Sequence, residues 1–295
     1  MQFAGQGKPP VGIVYITPMN RPDAALALAL LYGLEGKREA RTAAVAVCGG
    51  SLGAAAYCDV LLRFYLGSGQ FLNSNRILPV GLATEGDLPA DSPAVKVVLD
   101  KAPAREIRLV SDTSEVRAMI RNALTGQVNG NAVIVLSADP TELMRTLALP
   151  GVVDLVKAKV KTLVVVDPVN ADVLKGWPTP IARCGREIGE ALPYPAASIE
   201  KDYSWSPAHP VADFYRASGT MPFDAPTQDM AAILYAVRPD TFQLSDQKAL
   251  TIPLAQKQKI LETYIELASA KPVPRGGRRR DQPPPAQTPP AKKTP

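Results

Sequence analysis

The chain has 295 residues, of which 46% are hydrophobic and 21% are charged, and its formal net charge is +5. Such a chain can bury a large core, and α/β domains of this size commonly stay undivided, so we expect one domain over residues 1–270. No apolar run reaches the roughly 18 residues of a membrane-spanning helix, and residues 1–10 lack the apolar core of a signal peptide. We therefore expect a soluble protein without a membrane span. Its short polar start also fits a chain from which a leader was removed, which leaves the location open.

Alternating short β-branched runs and helical patterns organise the chain. The runs at residues 11–16, 43–47, 132–136 and 161–166 predict buried strands. Helical patterns occupy residues 23–34, 54–65, 114–124, 141–149, 171–175, 228–236 and 255–270. Strands separated by helices predict a mostly parallel central sheet with helices on both faces, whose ligands bind beyond the carboxyl ends of the strands. Residues 194–226 show no clear periodicity and are interpreted as a lid or an excursion at the sheet edge.

The positive charge is concentrated in residues 271–295. This segment holds seven Lys and Arg residues and one Asp, so it contributes +6 and leaves −1 for the preceding chain. Its arginine run at 275–280 and its proline clusters cannot bury apolar surface, which predicts a disordered, basic, Pro-rich tail. We therefore expect no specific nucleic-acid binding by the folded part. Contact of the arginine run with RNA or anionic lipid, and a solubilising tail without a partner, both stay open.

Three cysteines, Cys48, Cys58 and Cys184, are too widely spaced for a zinc or redox motif and are expected to be buried free thiols. The turn from Gly49 to Gly53 separates a strand from a helix. It could cradle an anion or simply be a tight turn. The one histidine, His209, lies between residues without periodicity and is interpreted as a loop residue.

Five segments carry a resemblance to a known family. They are the loop Ile16-Thr-Pro-Met-Asn-Arg-Pro-Asp23 entering an Ala/Leu-rich helix, Cys48-Gly-Gly-Ser51 after the second strand, Ser137-Ala-Asp-Pro-Thr-Glu-Leu143, Asp167-Pro168 before a helix, and Gln228-Asp-Met-Ala-Ala-Ile-Leu-Tyr-Ala-Val237. In order and spacing they resemble the inosine/uridine-preferring nucleoside hydrolases over most of the chain. The resemblance implies a single Rossmann-like α/β domain that binds a nucleoside or a ribose-like molecule and cleaves its N-glycosidic bond. A homo-oligomer is left open.

The resemblance also implies a Ca²⁺ ion that orients the ribose and the attacking water. Its remaining ligands would be Asp23, Asp229 and the main-chain carbonyl of Ser137. Asp23 is also the remaining candidate for a catalytic acid, and Ser51 and Asp167 are candidates for contact with substrate. Ca²⁺ takes about six to eight oxygen ligands, so the ion depends on a dense cluster of carboxylates.

The sequence departs from this family at the positions that hold the ion. Ile16, Pro18 and Pro22 stand where the loop of the family has aspartates, and neither isoleucine nor proline offers a side-chain oxygen. Pro18 also occupies the position of the general base. Val166 abuts Asp167 directly, so the family's sugar-binding segment between them is missing, and Gln228 replaces a histidine. We therefore expect weak Ca²⁺ binding and slow hydrolysis of ordinary ribonucleosides.

Two functions follow as alternatives. One is an N-ribosyl hydrolase with a rearranged site, and the other is an inactive relative that binds a nucleoside or sugar or serves a structural role. The two candidate acids have simpler explanations as well, since Asp23 and Asp229 each stand near the start of a predicted helix, where an anion is favoured without any ligand. If the resemblance is right, these two acids should nevertheless meet, although about two hundred residues separate them.

Overall fold

The computed structural model describes residues 8–66, 80–102, 105–169 and 171–272, and a sheet of six parallel strands runs through it. The strands are β1 (Val11–Thr17), β2 (Ala40–Val47), β3 (Val80–Leu82), β4 (Ala132–Leu136), β5 (Val160–Val166) and β6 (Ile181–Cys184). Their order across the sheet is β3-β2-β1-β4-β5-β6. The chain first builds outward from β1 to β3 and then returns to the other side of β1 through β4. Open parallel sheets bind ligands at the carboxyl end of such a switch point, here between β1 and β4.

Helices cover both faces of the sheet. They are α1 (Pro22–Gly36), α2 (Leu52–Leu66), α3 (Pro93–Lys101), α4 (Val116–Thr125), α5 (Thr141–Leu147), α6 (Val152–Lys159), α7 (Arg186–Ala191), α8 (Ala196–Lys201), α9 (Pro210–Ala217), α10 (Gln228–Val237) and α11 (Lys257–Ala268). Successive strand residues point to opposite faces, so Ile13 and Tyr15 enter one core while Val14 and Ile16 enter the other. The first core lies under α1–α3 and α7–α11, and the second lies under α4–α6.

Helix α1 is buried along almost its whole length. Every residue from Asp23 to Leu34 is buried, and the helix packs against α9, α10 and α11. A Cβ atom on Gly33 would lie 2.2 Å from the carbonyl oxygen of Leu267, so glycine is what lets α1 and α11 approach so closely. The uninterrupted Ala/Leu run at residues 24–31 of α1 follows from this position, because a helix segment buried on all sides has no polar face.

The parallel sheet and the four predicted strands are confirmed. The lid or edge excursion expected for residues 194–226 is wrong. That segment forms α8 and α9, and six consecutive residues of α9, from Pro210 to Tyr215, are buried. His209, expected in a loop, is the N-cap of α9 and is itself buried. The segment therefore belongs to the helical layer rather than to a lid.

Other expectations concern the cysteines, the membrane and the tail. All three cysteines are free and buried, as expected. Within the described residues, no helix is both long and apolar enough to cross a membrane. Of the predicted disordered tail, only Lys271 and Pro272 belong to the described residues, and positions 273–295 lie outside them.

A short antiparallel ribbon, β7 (Gln243–Leu244) and β8 (Leu250–Thr251), precedes α11.

Candidate functional site

The loop that joins β1 to α1 is held in one shape at the switch point of the sheet. Met19 is buried and has a positive φ of 48°, a conformation that residues other than glycine adopt only when their surroundings enforce it. Its backbone N–H donates to Oγ1 of Thr17 at 3.1 Å. A Cβ atom on Gly50 would lie 2.3 Å from the carbonyl oxygen of Pro18, so the loop after β2 packs directly against this loop.

Asp229, in the first turn of α10, is completely buried at this switch point. Its Oδ1 accepts a hydrogen bond from the Ser137 hydroxyl at 2.7 Å, and its Oδ2 accepts one from the Tyr15 hydroxyl. Burial, and after it the charge of Asp229, raise the pKa of Tyr15 well above its ordinary range. Tyr15 therefore stays protonated and serves as a donor to the carboxylate.

Arg21 brings a positive charge to the same carboxylate. Its Nη2 lies 3.1 Å from Oδ1 of Asp229 and 3.1 Å from Oγ of Ser137. Burial opposes the charge of Arg21, but the carboxylates of Asp229 and Asp23 outweigh it and raise the pKa of the guanidinium. About 42% of the Arg21 side chain is exposed, whereas that of Asp229 is fully buried. One end of the pair therefore faces solvent at the carboxyl edge of the sheet.

Asp23 lies in α1 but caps α10. Its Oδ2 accepts a hydrogen bond from the backbone N–H of Asp229 at 2.7 Å, and its Oδ1 accepts one from the N–H of Met230 at 3.2 Å. These donors belong to the first turn of α10, whose own N-cap residue, Thr227, makes no side-chain cap. Burial, and after it the charge of Asp229, raise the pKa of Asp23 well above its ordinary range. The expectation that Asp23 and Asp229 meet is confirmed.

The structure also places the other residues singled out from the sequence. The Ser51 hydroxyl accepts from the N–H of Ala54 at 3.0 Å and so caps the start of α2. Asp167 pairs with Arg183, with 2.5 Å between its Oδ1 and Nη2 of the arginine. The backbone carbonyl of Asp167 accepts from the side-chain amide of Gln228 at 3.2 Å. Ser137 takes part in the cluster through its hydroxyl, a role that the resemblance did not assign.

Two members of the cluster, Tyr15 and Arg21, were missed by sequence reasoning. Tyr15 occupies an alternating position of a buried strand, where an aromatic residue is ordinarily core. Arg21 precedes Pro22 and Asp23 at a helix start. The one sequence signal for a role in the site was its position within the loop that is acidic in the family. Neither position shows from the sequence alone that its side chain reaches a carboxylate 208 or 214 positions away.

These residues do not fit a Ca²⁺ ion. Each of the four carboxylate oxygens of Asp23 and Asp229 accepts a hydrogen bond from a group of the protein, and the guanidinium of Arg21 is one of the donors. Ile16 and Pro22 add no side-chain oxygen. Among the residues that the structure describes, no group of three or more His, Cys, Asp or Glu side chains could hold a metal ion. Ca²⁺ needs about six to eight oxygens that point their lone pairs inward.

A cavity of about 200 Å³ lies at the same carboxyl edge of the sheet, and none of the five cluster residues Tyr15, Arg21, Asp23, Ser137 and Asp229 lines it. It is lined by the loops that follow β2, β3 and β4, including Gly49, Gly50, Asp139 and Thr141. Cys48 also lines it, but burial, followed by the charges of Glu142 and Asp139, raises the pKa of that thiol to about 12. Cys48 is therefore protonated at neutral pH and is no nucleophile there.

Arginines and carboxylates form a network at the rim of this cavity. The Glu142 carboxylate accepts from Nε of Arg117 at 3.0 Å and from Nη1 of Arg145 at 2.7 Å. Glu85 pairs with both of these arginines as well. Asp139 is exposed, and its Oδ1 accepts from the backbone N–H of Thr141 at 2.8 Å. The network fixes the shape of the cavity wall while leaving the Asp139 carboxylate accessible to solvent.

The sequence matches no family model, and no curated protein matches it significantly. Solved structures do match. An inosine-guanosine nucleoside hydrolase is 13% identical, with a TM-score of 0.62 over 87% of this chain and 98% of the other. An inosine-uridine preferring nucleoside hydrolase from Bacillus anthracis is 11% identical, with a TM-score of 0.63 over 88% and 99%. The type III effector protein XopQ, crystallised with adenosine diphosphate ribose, is 16% identical, with a TM-score of 0.61 over 90% and 94%.

At these identities the likeness concerns the fold alone. It extends over nearly the whole length of each of the three structures. It also agrees with the parallel six-stranded sheet, whose switch point holds Asp23 and Asp229. The chain therefore has the fold of the nucleoside hydrolases.

Proposed function

We propose that the chain binds a ribose-containing small molecule of the nucleoside class at the carboxyl ends of β2, β3 and β4. The cavity formed by the loops after β2, β3 and β4 is the observation that carries this proposal. Its volume of about 200 Å³ is below the roughly 300–1,000 Å³ of pockets for drug-sized ligands, so it suits a sugar-sized group with the rest of the ligand outside. Backbone groups of Gly49 and Gly50, the Thr141 hydroxyl and the Asp139 carboxylate are suitable partners for sugar hydroxyls.

The fold and the names of its structural neighbours support this ligand class. Sheets of this type bind ligands at the same edge. Two of the neighbours are named as nucleoside hydrolases, and XopQ was crystallised with adenosine diphosphate ribose. The resemblance implies inosine or uridine as the ligand, and titration with each nucleoside compares their affinities.

The chain is expected to bind such a ligand without hydrolysing ordinary ribonucleosides. A general base must be able to accept a proton from water within hydrogen-bonding reach of the substrate. Asp23 instead accepts two backbone hydrogen bonds from α10, and Asp229 is buried behind Tyr15, Ser137 and Arg21. Pro18, at the position of the family's base, has no group that takes a proton.

A second candidate function is hydrolysis by a rebuilt site. The accessible carboxylate of Asp139 at the cavity is the observation that favours it, because it could take a proton from a water beside a bound ribose. Glu85 and Glu142, which also line the cavity, are paired with Arg117 and Arg145, and Asp167 is paired with Arg183. Asp139 is therefore the residue on which this alternative depends.

Binding is tested by calorimetric titration of the full chain with ribose, inosine, uridine and adenosine diphosphate ribose. Thr141→Phe places a ring at the cavity without changing a buried position, since Thr141 is exposed at the start of α5. Thr125→Phe, at the exposed end of α4 and away from the cavity, is the matched control. We expect binding that T141F weakens at least tenfold and T125F leaves unchanged. Equal affinities for both variants, or no binding of any of the four compounds, would contradict the proposed site.

Hydrolysis is tested by a reducing-sugar assay on inosine and uridine with and without a chelator. We expect no release of ribose above the background of the buffer. Release that persists in the chelator and disappears in Asp139→Asn would establish the second candidate. Release of ribose that the chelator abolishes would show that hydrolysis depends on a metal ion. That result would contradict both binding without hydrolysis and hydrolysis by Asp139.

A further inference from the structure

The guanidinium of Arg21 lies among the residues to which the family resemblance assigned a metal ion. It bonds to Asp229 and Ser137, two of those residues, and the third, Asp23, caps α10 beside them. We propose that Arg21 is the resident cation of this site and that its guanidinium takes the place of a divalent ion. The inference does not depend on the identity of the ligand in the cavity.

The buried charge of Asp229 is the first argument. A fully buried carboxylate is stable only when donors and a counter-charge surround it. Tyr15 and Ser137 supply two hydroxyl donors, but both are neutral. In the part of the chain that the structure describes, the salt bridge of Asp229 is to Arg21. Arg21 therefore supplies the positive charge that this carboxylate requires.

The direction of the hydrogen bonds is the second argument. The hydroxyls of Tyr15 and Ser137 donate to Asp229, and Ser137 also accepts from Arg21. A metal ion bound to Asp229 would need oxygen lone pairs at the positions where these hydroxyl hydrogens point. It would also repel the guanidinium of Arg21, whose Nη2 is 3.1 Å from Oδ1 of Asp229. The arginine and the ion therefore exclude each other.

The position of Arg21 on its helix is the third argument. Arg21 is the N-cap residue of α1, and its backbone is extended, with φ of −126° and ψ of 150°. A cation is unfavourable at a helix N-terminus because the helix dipole is positive there. The side chain forms no cap for α1. Local helix preferences therefore do not explain an arginine at this position, whereas pairing with Asp229 does.

The test measures thermal unfolding of the full chain with millimolar CaCl₂ and with a chelator. We expect the wild-type Tm to be the same in both. Arg21→Gln should lower the Tm by roughly 5–10 °C, because it leaves a buried charge without a partner. Arg21→Gln combined with Asp229→Asn should recover much of that loss, since the second change removes the unpaired charge.

The matched control is Arg186→Gln, which breaks an exposed pair with Glu190 and should leave the Tm unchanged. A loss in R21Q no larger than in R186Q would overturn the proposal, and so would a saturable rise of the wild-type Tm with Ca²⁺. If R21Q fails to fold, the double variant and the calcium titration of the wild-type protein still decide. None of these measurements uses the cavity ligand, so failure of the proposed function would be visible separately in the sugar titrations.

Discussion

At the scale of single residues, His209 carries a consequence that its sequence position concealed. Its Nδ1 accepts from the N–H of Val211 at 3.3 Å, which places the ring proton on Nε2. Among the described residues, Nε2 has no hydrogen-bond partner. The ring centroids of Phe64, Tyr65, Tyr203 and Trp205 lie 4.5–6.0 Å from that of His209. Burial, and after it the charge of Arg216, lower the pKa of His209 to about 3.

This depressed pKa predicts a loss of stability in acid. The unfolded chain takes up a proton at His209 below about pH 6.5, whereas the folded chain resists it until about pH 3. The stabilising contribution of the neutral ring is therefore fully present above pH 6.5 and is lost progressively as the pH falls from about 6.5 to about 3. At pH 5 the loss should be about 2 kcal/mol.

His209→Asn is the variant that isolates this effect, because asparagine keeps a cap acceptor but does not titrate. We expect the difference in free energy of unfolding between wild type and H209N, measured in urea, to shrink by that amount between pH 7 and pH 5. Other titrating groups, among them Asp23 with its raised pKa, cancel in this difference. Parallel curves for the two proteins would contradict the assignment.

At the scale of elements, the start of α10 depends on a residue of α1. Both carboxylate oxygens of Asp23 are bonded to backbone N–H groups of α10. Asp23→Ala should lower the free energy of unfolding by about 2–4 kcal/mol, because two buried donors lose their acceptor. Asp23→Asn should cost about half as much, since its amide oxygen keeps one bond.

Asp154→Ala is the matched control for Asp23→Ala. Asp154 also stands in the first turn of a helix, α6, but its side chain is 88% exposed. We expect a change within about 0.5 kcal/mol. If denaturant unfolding gave the same small loss for D23A and D154A, Asp23 would merely be favoured by the dipole of its own helix.

The family resemblance predicted that Asp23 and Asp229 meet. It did not predict their bonds. Each acid could also be interpreted as stabilising the start of its own helix. In the structure, Asp23 of α1 caps α10 instead. Asp229 binds side chains from β1, from the loop after β1 and from the residue after β4. Helical periodicity is visible over about 11–18 residues, and the pattern of a strand over about four to eight. Strand β3, with three residues, and helices α8 and α9, with six and eight, are too short for these patterns, and strand β6, with four, is at the lower limit.

At the scale of the whole molecule, α11 is the last helix among the described residues, and it packs into the core. Its residues Tyr264, Leu267 and Ala268 are buried, and the indole N–H of Trp205 donates to the carbonyl of Ser269 at 3.1 Å. Lys271, by contrast, is exposed. Residue 270, the predicted boundary, lies two positions after the end of α11, and the boundary stays a prediction.

A chain that ends after Ala270 should unfold at the same temperature as the full chain, while its formal charge changes from +5 to −1. A chain that ends after Glu262 should show no cooperative unfolding, because α1 loses the helix packed against Gly33. Calorimetry of the two truncations, with electrophoresis to check the charge, tests both statements. A lower Tm for the longer truncation would mean that residues 271–295 contribute to stability.

The complete burial of α1 has a consequence for synthesis of the protein. The helices that cover it, α9, α10 and α11, all lie after residue 209, so most of the chain leaves the ribosome before they do. Until those helices emerge, the face of residues 24–34 that they cover in the folded protein stays exposed. An exposed apolar helix of this kind invites aggregation. The nascent chain should therefore depend on chaperones until residues 210–268 have emerged and closed over α1.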